Sequence, residues 1–209
     1  MMNNSPEVSL NILIGVTGSV AAIKVPELLK CLETRLNAIN KKNCIKIVAT
    51  DKALQFFSPH TLANQDSQPY KVYKDCDEWD HWKTRGDPIL HIELRDWADI
   101  FLIAPLDANT LAKVANGLSD NLLTCIIRAW DISATFQKQK IVLFAPAMNT
   151  KMWTHPITVK QICVVTQEFG FKQIQPIDKV LMCGDVGMGA MEEPEMIVSR
   201  IISELQNFD

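Results

Sequence analysis

Four apolar runs punctuate this chain, and each is too uniformly apolar for a sheet that has one wet face. Asn11 to Val16, Ile45 to Thr50, Asp99 to Ala104 and Lys140 to Ala145 run nearly without interruption instead of alternating with polar residues. That is the pattern of strands buried on both sides. Stretches with helical spacing lie between them. Val20 to Asn40 repeats Val20, Ile23, Leu28, Leu29, Leu32 and Leu36, with Pro26 near its start predicting a bend. Asn109 to Val114 reads as helix, as does Asn121 to Trp130, where Leu122, Ile126 and Trp130 recur four apart. Pro156 suits the first turn of a helix to about Phe169, which Gly170 ends. Parallel strands need crossovers that place helices on both faces, so the expected fold is α/β, a three-layer sandwich around a parallel sheet. Ser58 to Pro88, polar and Pro-containing, is expected to be a long excursion with little regular structure, a candidate flap.

At 209 residues the chain suits one domain, 1–209, with residues 1–9 expected to be disordered. A hydrophobic fraction of 47% with 22% charged residues supports a packed core. The net charge is -3 and Lys and Arg form no block, which argues against nucleic acid as a partner. The apolar runs fall far short of the roughly 20 residues that span a bilayer, and Met1 to Ser9 lacks the basic and apolar parts of a secretory signal. A cytoplasmic protein without a membrane partner is expected. The 6 cysteines show no C-x-x-C pair, so no metal site is expected, and most should be free thiols packed as small hydrophobes.

In an open parallel sheet, ligands bind beyond the carboxyl ends of the strands, and the residues standing there are unusual. After the first strand comes Thr17-Gly18-Ser19-Val20, a small-residue turn whose N–H groups suit an anion such as phosphate. A tight turn capped by Ser19 explains it equally well. After the third comes Asp107-Ala108-Asn109-Thr110, able to hydrogen-bond a heterocycle or ribityl chain, or simply to cap a helix. After the fourth comes Pro146-Ala147-Met148-Asn149-Thr150-Lys151-Met152-Trp153, where Asn149 can hold a carboxylate or amide. Met148, Met152 and Trp153 are better explained as core at helical spacing. Cys183-Gly184-Asp185-Val186-Gly187-Met188-Gly189 reads as neither helix nor strand, a loop able to fold over a site, and 178–194 is the expected lid. His91 stands just ahead of the third strand and can act as a base near neutrality.

Taken together, His91, the run Pro146 to Trp153 and Cys183-Gly184-Asp185 with Gly187 and Gly189-Ala190-Met191 resemble the homo-oligomeric flavin-containing cysteine decarboxylases. Gly86 to Leu94 and Asp120 to Trp130 look like the eukaryotic members that act on phosphopantothenoylcysteine. The resemblance implies a flavodoxin-like, Rossmann-like fold, non-covalent FMN and a homotrimer with the flavin where subunits meet. It implies FMN contacts at Gly18, Ser19, Val20, Thr50, Phe56, Asp107, Ala108, Asn109, Thr110 and Ala147, and substrate contacts at Asn149 and Met152.

The implied reaction takes 4'-phospho-N-pantothenoylcysteine to 4'-phosphopantetheine in coenzyme A biosynthesis. Oxidation of the carbon bearing sulfur gives a thioaldehyde, whose C=S bond accepts the electrons released as CO2 departs, and the resulting enethiolate is then reduced. His91 is implied as the base, Asn149 as the group holding the carboxylate, and Cys183 as the thiol that protonates carbon in the last step. A flavin prenyltransferase shares the fold but does not need these three residues, some phosphatase-inhibiting subunits of this fold have lost part of the set, and a plain flavin electron carrier would be reduced by the substrate without releasing CO2.

Overall fold

The computed structural model describes residues 9–81, 83–132, 140–180 and 186–206. Its main sheet has six parallel strands in the order β3-β2-β1-β4-β5-β6: β1 Leu10–Val16, β2 Asn43–Ala49, β3 Val72–Tyr73, β4 Ile100–Leu106, β5 Ile141–Pro146 and β6 Lys172–Gln173. Every residue of β4 and β5 is buried, as their uninterrupted apolar runs require. Without the two-residue edge strand β3, the order is that of a flavodoxin-like sheet, whose topological switch lies between β1 and β4.

The helices are α1 Val25–Ala38, α2 Asp75–His81, α3 Leu90–Trp97, α4 Ala108–Ala115, α5 Leu122–Arg128, α6 Thr150–Trp153, α7 Pro156–Cys163 and α8 Pro194–Gln206. Strand side chains alternate between faces, and the sheet therefore carries two cores. Ile12, Ile14 and Val16 pack with Leu28, Leu32 and Leu36 of α1 and with Ile197 and Ile201 of α8. Leu13, Phe101 and Phe144 pack with Leu94 of α3, Leu111 of α4 and Leu123 and Ile126 of α5.

The structure corrects several expectations. Pro26 does not bend one helix, because a 3-10 turn over Val20–Lys24 ends where α1 begins, leaving Pro26 in the first turn. Ser58 to Pro88 contains a 3-10 turn at Pro59–Thr61, then β3 and α2, so it is not structureless. The glycine-rich stretch forms a strand, β8 Val186–Ala190, antiparallel to β7 Ile177–Val180. The helix from Pro156 does extend to Glu168, but as a π-helix from Val164. The five described cysteines are free thiols, yet none is buried: Cys44, Cys76 and Cys163 are exposed and Cys31 and Cys125 half-buried.

Candidate active site

The turns that follow β1, β2, β4 and β5 meet at one edge of the sheet. Thr17, fully buried, is the strut between the first and third of them. Its Oγ1 donates to the Pro105 carbonyl at 2.8 Å and accepts the Asp107 N–H at 2.7 Å. Thr50 N–H donates to the Val16 carbonyl at 3.0 Å, tying in the turn after β2. Gly18 sits where these turns converge: a Cβ there would lie 2.7 Å from Lys52 Cβ and 3.2 Å from Asp107 Oδ2. Only a residue without a side chain lets the turns after β1, β2 and β4 approach this closely.

Both capping explanations from the sequence hold. Ser19 Oγ accepts from Ala21 N–H at 3.3 Å, and Asp107 Oδ1 accepts from Thr110 N–H at 2.6 Å to start α4. Ala108 and Asp107 are half-buried and Asn109 is exposed beside them, so polar groups remain for a flavin ring or ribityl chain. Thr50 is buried and Phe56 half-buried, packed against the α1-side core. Val20 is exposed.

Beyond β5 the chain is stitched to the hairpin. Ala147 N–H donates to the Leu106 carbonyl at 2.9 Å, and Met148 N–H to the Gly189 carbonyl at 2.9 Å. Gly189 has φ +133, and a Cβ on it would come within 2.4 Å of the Met148 carbonyl oxygen. Gly187, at φ +149, lies over Thr150 in the same way, with Cγ2 at 2.9 Å from where a Cβ would stand. Asn149 caps α6 through Lys151 N–H at 2.8 Å. The core explanation holds for buried Met148 and for Trp153, which packs against the α5-side core, but not for Met152, which is 49% exposed. At the base of the hairpin, Glu193 takes Lys24 Nζ at 2.5 Å and Lys179 Nζ at 2.9 Å. These two lysines hold its carboxyl below the usual range.

His91 lies in the first turn of α3, which leads into β4 and so begins near the carboxyl edge of the sheet. Its partner is one that no sequence motif indicated. Glu78 of α2 brings Oε1 to 2.5 Å from His91 Nδ1 and accepts the His91 backbone N–H on Oε2 at 3.1 Å. Asp75 docks the same helix by accepting Leu122 N–H at 2.9 Å, and burial pushes its carboxyl up. The nearby Cys125 thiol is pushed up by burial, with Glu78, Asp75 and Asp120 adding to the shift. Cys183, with Gly184 and Asp185, lies outside the described residues. No cluster of three or more metal-ligating side chains occurs among the described residues, and no helix there is long and apolar enough to cross a membrane.

A family model described as Flavoprotein matches residues 2–206. A phosphopantothenoylcysteine decarboxylase of Mus musculus is 48% identical over 94% of this chain and 88% of its own. A cysteine-to-serine mutant of PPC decarboxylase, solved in complex with pantothenoylaminoethenethiol, superposes with a TM-score of 0.80 at 43% identity, covering 95% of this chain and 100% of that one. The FMN binding protein AtHal3 superposes with a TM-score of 0.77 at 43% identity, over 96% and 98% of the two chains.

Proposed function

The chain belongs to the Flavoprotein family and to its phosphopantothenoylcysteine decarboxylase branch, and on that premise we propose how its residues share the work. It is an FMN-dependent carboxy-lyase that converts 4'-phospho-N-pantothenoylcysteine to 4'-phosphopantetheine in coenzyme A biosynthesis. The observation that carries this reading is the near full-length match to decarboxylases, together with a sheet edge where the turns after β1, β2 and β4 converge on Gly18.

FMN, when bound, withdraws a hydride equivalent from the sulfur-bearing carbon and later returns it, so that the carboxylate leaves from the thioaldehyde oxidation level. The protein's part is to bind, orient and move protons. Gly18, Ser19 and Val20 hold the flavin phosphate at the turn after β1, Ser19 through its hydroxyl because its N–H is given to the Thr17 carbonyl at 2.8 Å, and Thr50, Phe56, Asp107 to Thr110 and Ala147 line the rest of the flavin site. Asn149 holds the substrate carboxylate from a turn that the hairpin keeps in place, and exposed Met152 forms an apolar wall beside it. His91 takes the proton released as the substrate is oxidised. Cys183 returns one to carbon in the final reduction.

The working unit is a homotrimer in the cytoplasm, one domain per chain with 178–194 as its lid. Val20, Ile23, Trp79, Ile89 and Met152 support the assembly, because they leave apolar surface uncovered on the single chain, Trp79 being 77% exposed. The five described cysteines, all free thiols, support a reducing compartment.

The test starts from purified protein. Its absorption spectrum is expected to carry oxidised flavin, and phosphopantothenoylcysteine is expected to yield CO2 and 4'-phosphopantetheine in equal amounts. The Cys183→Ser variant is expected to release CO2 without completing phosphopantetheine. A preparation that neither binds FMN nor releases CO2 would overturn the reading.

A further inference from the structure

A base must offer a lone pair to its substrate, and a neutral imidazole has only one. Which ring nitrogen carries it depends on what the other nitrogen meets. Glu78 meets His91 twice: Oε1 stands 2.5 Å from Nδ1 and Oε2 accepts the backbone N–H of the same residue at 3.1 Å. Two contacts to one residue fix the carboxylate's orientation as well as its position. Glu78 is also poorly placed to move, its side chain being 10% exposed against 25% for the ring. The helix that carries it is anchored at its start, where Asp77 Oδ2 accepts Lys74 N–H at 2.8 Å and Asp75 Oδ1 accepts Leu122 N–H at 2.9 Å.

A carboxylate offers only acceptors, so the hydrogen of the short contact belongs to Nδ1 and the lone pair to Nε2. We propose that Glu78 is the positioning residue of the reaction, holding His91 as its Nδ1–H tautomer so that Nε2 faces outward as the proton acceptor. Glu78 touches neither substrate nor flavin in this role. The division of labour is that of an acid, an imidazole and a substrate in series, recognised by geometry and not by sequence order. The inference rests on the reading of His91 as the base, which Glu78 serves but does not replace.

The competing explanation is structural: Ile89 provides no side-chain cap for α3, and the carboxylate stands in for one at the His91 N–H. Two readouts separate the roles. The first is a double-mutant cycle on the FMN-loaded protein, using Glu78→Leu, His91→Asn and both together. Glu78→Leu is expected to lower kcat by about 10- to 100-fold, less than the roughly 100- to 10,000-fold a general base itself supplies, with KM nearly unchanged. The double variant is expected to be no slower than His91→Asn alone, because Glu78 acts only through the ring. The second is the nitrogen-15 spectrum of the His91 ring, expected to show a protonated Nδ1 in the wild type and loss of that preference in Glu78→Leu. Glu78→Gln keeps an acceptor oxygen for one of the two N–H groups and is expected to fall between.

Wild-type kcat in Glu78→Leu alongside an impaired His91→Asn would overturn the positioning role and leave the base standing. Full activity in His91→Asn would overturn the base, and this inference with it. Losses that add in the double variant would assign Glu78 to the helix start instead. Should Glu78→Leu fail to fold, the ring spectrum of the wild type decides, since an Nε2–H tautomer there contradicts the proposal directly.

Discussion

Thr17 and Gly189 show how much of the site depends on side chains, or their lack, that touch no ligand. The Thr17 hydroxyl both donates and accepts between two turns, at Pro105 and Asp107. Thr17→Val keeps the shape and leaves the Pro105 carbonyl its bond from the Thr17 N–H at 3.2 Å, but it strips the half-buried Asp107 N–H of its acceptor, so a loss of about 1–3 kcal/mol is expected in urea unfolding, with weaker FMN retention. Gly189→Ala fails for a different reason. Its φ of +133 and the 2.4 Å approach to the Met148 carbonyl leave no place for a methyl group, so about 1–3 kcal/mol of strain is expected, relieved by shifting the Asn149 turn. A raised KM for substrate with FMN affinity unchanged is the measurement that checks it. At this scale the sequence was partly legible: Gly18, Asp107 and Asn149 announced themselves by standing just after buried strands. Glu78 did not, because it lies 13 residues from His91 in an acidic helix with no pattern to single it out. Only the folded backbone brings the two together.

Among the elements, the four central strands were readable because burial on both faces writes itself as an unbroken apolar run. β3 was not, since two residues pairing with Ile47 and Val48 leave no periodicity. β8 was misread because glycine is depleted from ordinary strands. Here Gly187 and Gly189 are needed for close approach to Thr150 and Met148, a tertiary reason no local rule contains. The same hairpin provides a pH test. Lys24 and Lys179 hold the Glu193 carboxyl below its ordinary value of 4.5. A depressed carboxyl contributes stability that is complete above the unfolded value and is lost as pH falls through the folded one. The stability difference between wild type and Glu193→Gln is therefore expected to favour the wild type at about pH 7 and to shrink as the pH falls below that ordinary value, measured by urea unfolding at each pH. A difference that persists at low pH would remove the ion-pair explanation.

For the molecule as a whole, the two cores predict where damage spreads. Phe101 is fully buried in the core on the side of α3, α4 and α5, its ring 5.6 Å from that of Trp130. Phe101→Ala is expected to cost about 3–5 kcal/mol by calorimetry, with loss of FMN following from global destabilisation and not from a changed site. The opposite core is built differently, since α1 and α8 cover it and α8 comes after every strand of the sheet. That order has a consequence during synthesis. Until Pro194–Gln206 leaves the ribosome tunnel, one flank of a finished sheet stays greasy and open. A nascent or clipped polypeptide lacking those thirteen residues would meet chaperones and proteases as an unfinished client, not as a slower enzyme.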